Sequence, residues 1–141
     1  MLARTVIAVR WGWILLILAG CQGGVKTIPV TGQVLADSEP LAKAVVVLHP
    51  VNTHSTVKPT GQTDDKGRFV LTSQNRGDGA PPGDYLVTVT WFVSSDTPDA
   101  NGDFVSFNRL PSSYGNPAQS GLKVTIAPDT HELPVIQLNL D

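Results

Sequence analysis

The run "DYLVTVTWFV" (84–93) alternates Tyr85, Val87, Val89 and Trp91 with Leu86, Thr88, Thr90 and Phe92. A period of two sends the two sets to opposite faces of a β-strand and fits no helical stripe. The first set is assigned to the core, with the threonines facing outward. Extended runs recur in "VTGQVLAD" (30–37), "AVVVLHPV" (44–51), "GLKVTIAP" (121–128) and "LPVIQLNLD" (133–141). No segment carries a long helical period. Short strands between regular turn signals predict an all-β chain whose two sheets pack face to face, a β-sandwich.

Finer features follow from the same reading. In 44–51 both Ala44/Val46/Leu48 and Val45/Val47 are apolar, which predicts a central strand covered on each side. "TGQTDDKGRFVLTS" (60–73) reads as a hairpin around Asp64-Asp65-Lys66-Gly67, with Gly67 in the left-handed region after a type I turn. Phe69 and Leu71 then point to one face, Arg68, Val70 and Thr72 to the other. In 133–141, Ile136, Leu138 and Leu140 share the inward face. "NRGDGAPPG" (75–83) is expected to be loop. So is the polar, turn-rich stretch 94–120, whose length suggests a functional or disordered segment.

The chain's start makes a different argument. "MLARTVIAVR" carries two arginines and no acid, and the apolar "WGWILLILA" follows before Gly20 and Cys21. A positive region, a short apolar region and small residues before a cleavage point read as a signal peptide. A membrane span needs ~20 apolar residues, and Arg10 and Gln22-Gly23-Gly24 deny that length on both sides. The expected organisation is a signal peptide over 1–20, a flexible tether over 21–29 and one domain over 30–141. Removing Arg4 and Arg10 from the ten basic residues leaves eight against twelve acids, a balance of minus four. That offers no basic stripe for nucleic acid. Cys21 is the sole cysteine, so stability is expected to come from packing rather than disulfides.

"LAGC" (18–21) resembles the lipobox of bacterial lipoproteins. The resemblance implies diacylglycerol on the Cys21 thiol, cleavage just before it, and a cell-envelope protein anchored to a membrane through that lipid. Two or three acyl chains hold firmly where one binds marginally. Gln22 stands where enterobacterial relatives retained in the inner membrane carry Asp, which favours the outer membrane.

Further along, "VTGQV" with "EPLAKAVVVLHPV" (39–51) resembles the opening of transthyretin-like, or carboxypeptidase regulatory-like, domains. "TDDKGRFVL" (63–71) and "PPGDYLVTVT" (81–90) are similar to their hairpin and to a later strand entry. "LPSSYGNPAQSGLKVTI" (110–126) looks like the C-terminal signature of small bacterial lipoproteins built on that domain. The resemblance implies a seven-stranded Greek-key β-sandwich. It implies no single function, because such domains serve as appendages, carriers or sugar-binding-like modules. One relative, 5-hydroxyisourate hydrolase, uses His and Arg residues and ends in Tyr-Arg-Gly-Ser. This chain ends "QLNLD", so that activity is not expected.

Candidate sites are few. His49, His54 and His131 have no metal-pair spacing and read as surface histidines. "DTPDANGD" (96–103) places Asp96, Asp99, Asn101 and Asp103 close together, but counting an EF-hand loop from Asp99 puts Phe104 at the glycine position and Leu110 at the glutamate position. A solvated loop is favoured, with weak calcium binding left open. "RGD" (76–78) reads as ordinary turn residues rather than an adhesion motif. Phe104, Phe107 and Tyr114 are the candidate ligand-contact residues, for an envelope protein or a glycan such as peptidoglycan. No catalytic constellation, cofactor site or metal site is found, and a non-enzymatic binding or structural module is expected.

Overall fold

The computed structural model describes residues 24–52 and 55–141. The signal segment 1–20, Cys21 and His54 lie outside the described residues. Ten strands follow one another: β1 (Thr31–Ala36), β2 (Glu39–Pro40), β3 (Val45–Pro50), β4 (Thr60–Gln62), β5 (Arg68–Val70), β6 (Gly83–Thr90), β7 (Phe92–Ser94), β8 (Ser106–Asn108), β9 (Lys123–Ile126) and β10 (Ile136–Leu138). A single 3-10 turn, Ser112–Gly115, precedes β9. Among the described residues there is no α-helix, and no helix long and apolar enough to cross a membrane. The fold is all-β.

β1 organises the first sheet. It runs parallel to β10 along one edge. Along the other edge its first half pairs with β5 and its last two residues with β2, both antiparallel. The second sheet is antiparallel in the order β4-β3-β6-β9. β3 is therefore a central strand, and its two faces are buried and half-buried as its apolar alternation requires. Val34 and Leu138 from the first sheet join Val46, Val87 and Ile126 from the second in one buried cluster. The Tyr85 hydroxyl, buried with its ring, donates to the Pro81 carbonyl at 2.7 Å. Among the described residues no buried side-chain nitrogen or oxygen lacks a partner.

Several expectations are corrected. The described residues carry ten strands, with β2 and the β7–β8 pair standing beside seven others. The 60–73 hairpin keeps its turn, with Gly67 at φ +72°, but its arms join different sheets: β4 zips to β3 and β5 to β1. The Phe69 ring fills the space between Gly32 on β1 and Gly61 on β4, where a Cβ on either glycine would strike it. Only a Thr60–Thr72 bridge and the Asp64–Arg68 bonds span the arms. The tether ends earlier than expected, since Ile28 is buried and exchanges two backbone hydrogen bonds with Ala80. Leu140, expected inward, is exposed beyond the end of β10. The 94–120 stretch is not structureless, as its first part completes a β-ribbon.

Candidate functional site

β7 and β8 form a two-stranded ribbon outside both sheets, with Val93 opposite Phe107 and Ser94 opposite Ser106. It continues β6 after one residue, Trp91. The turn at its tip is built by Asp99, whose Oδ1 accepts the N–H groups of Asn101 (2.8 Å) and Asp103 (3.0 Å). Gly102, at φ +88°, donates to the Asp99 carbonyl, and the Asp99 N–H donates to the Asp103 carbonyl. The 64–68 turn carries the same bonds: Asp64 Oδ1 accepts from Lys66 and Arg68, and Gly67 donates back to Asp64. Asp-x-x-Gly thus makes both turns by one mechanism, an Asx-type bond plus a left-handed glycine. Each carboxylate is held below its ordinary range by those N–H groups, Arg68 then Lys66 for Asp64, and Asp103 then Asn101 for Asp99.

At the ribbon's base Asn108 Oδ1 accepts the Trp91 and Leu110 N–H groups, and the Arg109 guanidinium lies 5.4 Å from the Trp91 ring centroid. The cation is attracted to the ring face. The base is clamped while most of the ribbon's apolar side chains stand in solvent, Val93 being half-buried. Phe92 is 59% exposed, Phe104 63%, Val105 50% and Phe107 49%. Phe69 is the only other phenylalanine of the chain, and it is core.

The expected contact residues divide here. Phe107 lies on β8 and Phe104 two residues before that strand, both exposed. Tyr114 does not join them: its ring packs against the core, and its hydroxyl accepts the Asn139 N–H at 3.0 Å. Trp91, expected in the core, is half-buried because it links sheet to ribbon. The Asp78 carboxylate accepts from Ser73, Gln74 and Asn75 N–H groups and so closes the 75–83 loop. Desolvation pushes its pKa up, but those bonds outweigh it and the net direction is down. Among the described residues no group of three or more His, Cys, Asp or Glu side chains could hold a metal ion. His131 is exposed, whereas His49 is half-buried and corrects the surface assignment: its Nε2 lies 2.9 Å from Thr88 Oγ1. Burial, and then the charge of Lys58, lower its pKa.

A feature missed in the sequence lies where β4 and β5 diverge. An open cleft of about 780 Å³ is walled by Thr60 and Gln62 on one side and by Arg68 and Arg76 on the other, over a base of Val45 and Phe69. Its signal was Gly61 on an otherwise ordinary strand, which marks a close approach.

No protein-family model matches the chain. No curated protein matches it. A crystal structure of a 9R-lipoxygenase from Cyanothece PCC8801 superposes on 96% of this chain with a TM-score of 0.43 at 15% identity. The chain spans 18% of that enzyme's length. A likeness of this degree assigns no activity to the chain, and the expectation of a non-enzyme gains no support from it.

Proposed function

We propose that the chain is a lipid-anchored bacterial cell-envelope protein that acts as a binding or structural module through its β7–β8 ribbon. The Leu18-Ala19-Gly20-Cys21 sequence after a short apolar run supports the anchor, and Gln22 favours the outer membrane. The domain is a seven-stranded, transthyretin-like Greek-key sandwich in this reading. In its support, setting aside β2 and the ribbon leaves three strands in one sheet and four in the other.

One observation carries the binding role: three of the chain's four phenylalanines are exposed on a ribbon whose turn and base are both hydrogen-bonded. Fully burying each ring against a partner would contribute roughly 1.5–3 kcal/mol, and a fixed ribbon loses little conformational entropy on docking. The partner is an envelope protein; the carbohydrate alternative retains two of its three aromatic residues.

The test is capture from envelope extracts of the native host by the full-length protein and by Phe104→Ser/Phe107→Ser. At least a tenfold loss of captured protein is expected, with an unchanged melting temperature because both rings are exposed. Equal capture by the two proteins defeats the ribbon's role. Binding to a glycan array that disappears in the double variant would move the assignment to a carbohydrate module. Intact-mass measurement of the membrane fraction, beside Cys21→Ala, tests the anchor separately: the acylated form is expected to vanish in the variant.

A further inference from the structure

We propose that the cleft between β4 and β5 binds a small organic anion through Arg68 and Arg76, independently of the ribbon. The cleft exists because neighbouring strands are drawn into different sheets, leaving an opening between the Thr60–Thr72 bridge and the Asp64 turn. At about 780 Å³ it falls within the usual range of small-molecule sites, roughly 300–1,000 Å³.

Its chemistry is uneven in a way that selects for an anion. Arg68 leaves β5 on the face away from the core, and Arg76 enters from the following loop, so two guanidinium groups border one opening. The cleft's single carboxylate, Asp64, already accepts two backbone N–H bonds and folds the turn. Among the described residues no ion pair ties down Arg76. A guanidinium presents parallel N–H donors that match carboxylate and phosphate oxygens, a fit that lysine does not reproduce. Gln62 adds an amide beside them, while Val45, Phe69 and Val70 offer an apolar base for the body of the molecule. The ligand is an oxyanion on a compact organic frame, and both carboxylates and phosphates have that chemistry.

The experiment is titration of the full-length protein with sodium galacturonate, sodium phosphate and neutral galactose, followed by calorimetry and backbone amide shifts. At least one anion is expected to bind saturably, with amide shifts confined to 60–62 and 68–77, while galactose produces none. Galacturonate alone identifies a carboxylate on an organic frame, whereas phosphate alone identifies a phosphate ester. Arg68→Gln and Arg76→Gln should each weaken binding at least tenfold, with the melting temperature unchanged because both side chains are exposed. No binding by either anion, equal response to galactose, shifts elsewhere on the molecule, or equal affinity in both variants would overturn the assignment. If a glutamine variant does not fold, Arg68→Lys and Arg76→Lys keep the charge without the fork. Undiminished affinity in both lysine variants would then overturn it as well.

Discussion

Phe69 is the residue on which the two sheets close. Its ring occupies the space that side chains on Gly32 and Gly61 would need, but the two glycines meet different obstacles. At Gly32 the three nearest atoms all belong to the ring, whereas at Gly61 a Cβ would also meet the Val70 carbonyl oxygen at 3.0 Å. Overpacking of this kind costs about 1–3 kcal/mol. Gly32→Ala and Gly61→Ala are each expected to lower stability by that amount in urea unfolding. In a Phe69→Leu background the Gly32→Ala penalty should largely disappear and the Gly61→Ala penalty should persist, because a backbone oxygen cannot step aside. Equal rescue at both positions would show that the ring is the only obstacle.

His49 is a residue-scale effect with a pH signature. Burial and Lys58 hold its folded pKa below 6.5, so the unfolded chain takes up its proton first. Stability should therefore be flat above pH 6.5 and fall as the pH drops through that value toward the folded pKa. A second fall is expected below about pH 3.8, where Asp64, Asp78 and Asp99 lose the charge that their N–H partners favour. Urea midpoints measured across pH for the protein and for His49→Gln should share the second fall, and only the variant should lack the first.

At the scale of elements, the two Asp-x-x-Gly turns invite a direct comparison. Asp99→Ala removes the acceptor for two ribbon N–H groups. Hydrogen exchange at Asn101 and Asp103 is expected to quicken, while amides of β3 and β6 stay protected, because the ribbon joins the sheets only through its clamped base. Loss of protection in β6 would mean that the ribbon supports the core. The first of these turns was legible in the sequence, since alternating apolar residues flank it. The second was not, although "DANG" carries the same signal. Its arms have no buried face, so Phe92, Phe104, Val105 and Phe107 produce no alternation to read. Alternation also revealed the inward Phe69 of β5, Leu71 just after it, and Tyr85, Val87 and Val89 of β6, although Thr88, expected outward, is buried beside His49, and it says nothing about pairing. That is why β4 and β5 looked like one hairpin, and why the cleft between them went unseen. Tyr114, a candidate contact residue from its place in a polar stretch, packs that stretch down, with its hydroxyl against the Asn139 amide.

For the whole molecule, the parallel pairing of β1 and β10 sets where the polypeptide enters and leaves. Both strands point the same way, with Val34 beside Ile136 and Ala36 beside Leu138. The residues preceding β1 and those following β10 therefore lie toward opposite ends of the first sheet. A pull applied between those two points would slide β1 and β10 past each other, so their hydrogen bonds would resist together in shear instead of parting one at a time. A domain held at one end and loaded at the other would meet that traction in shear.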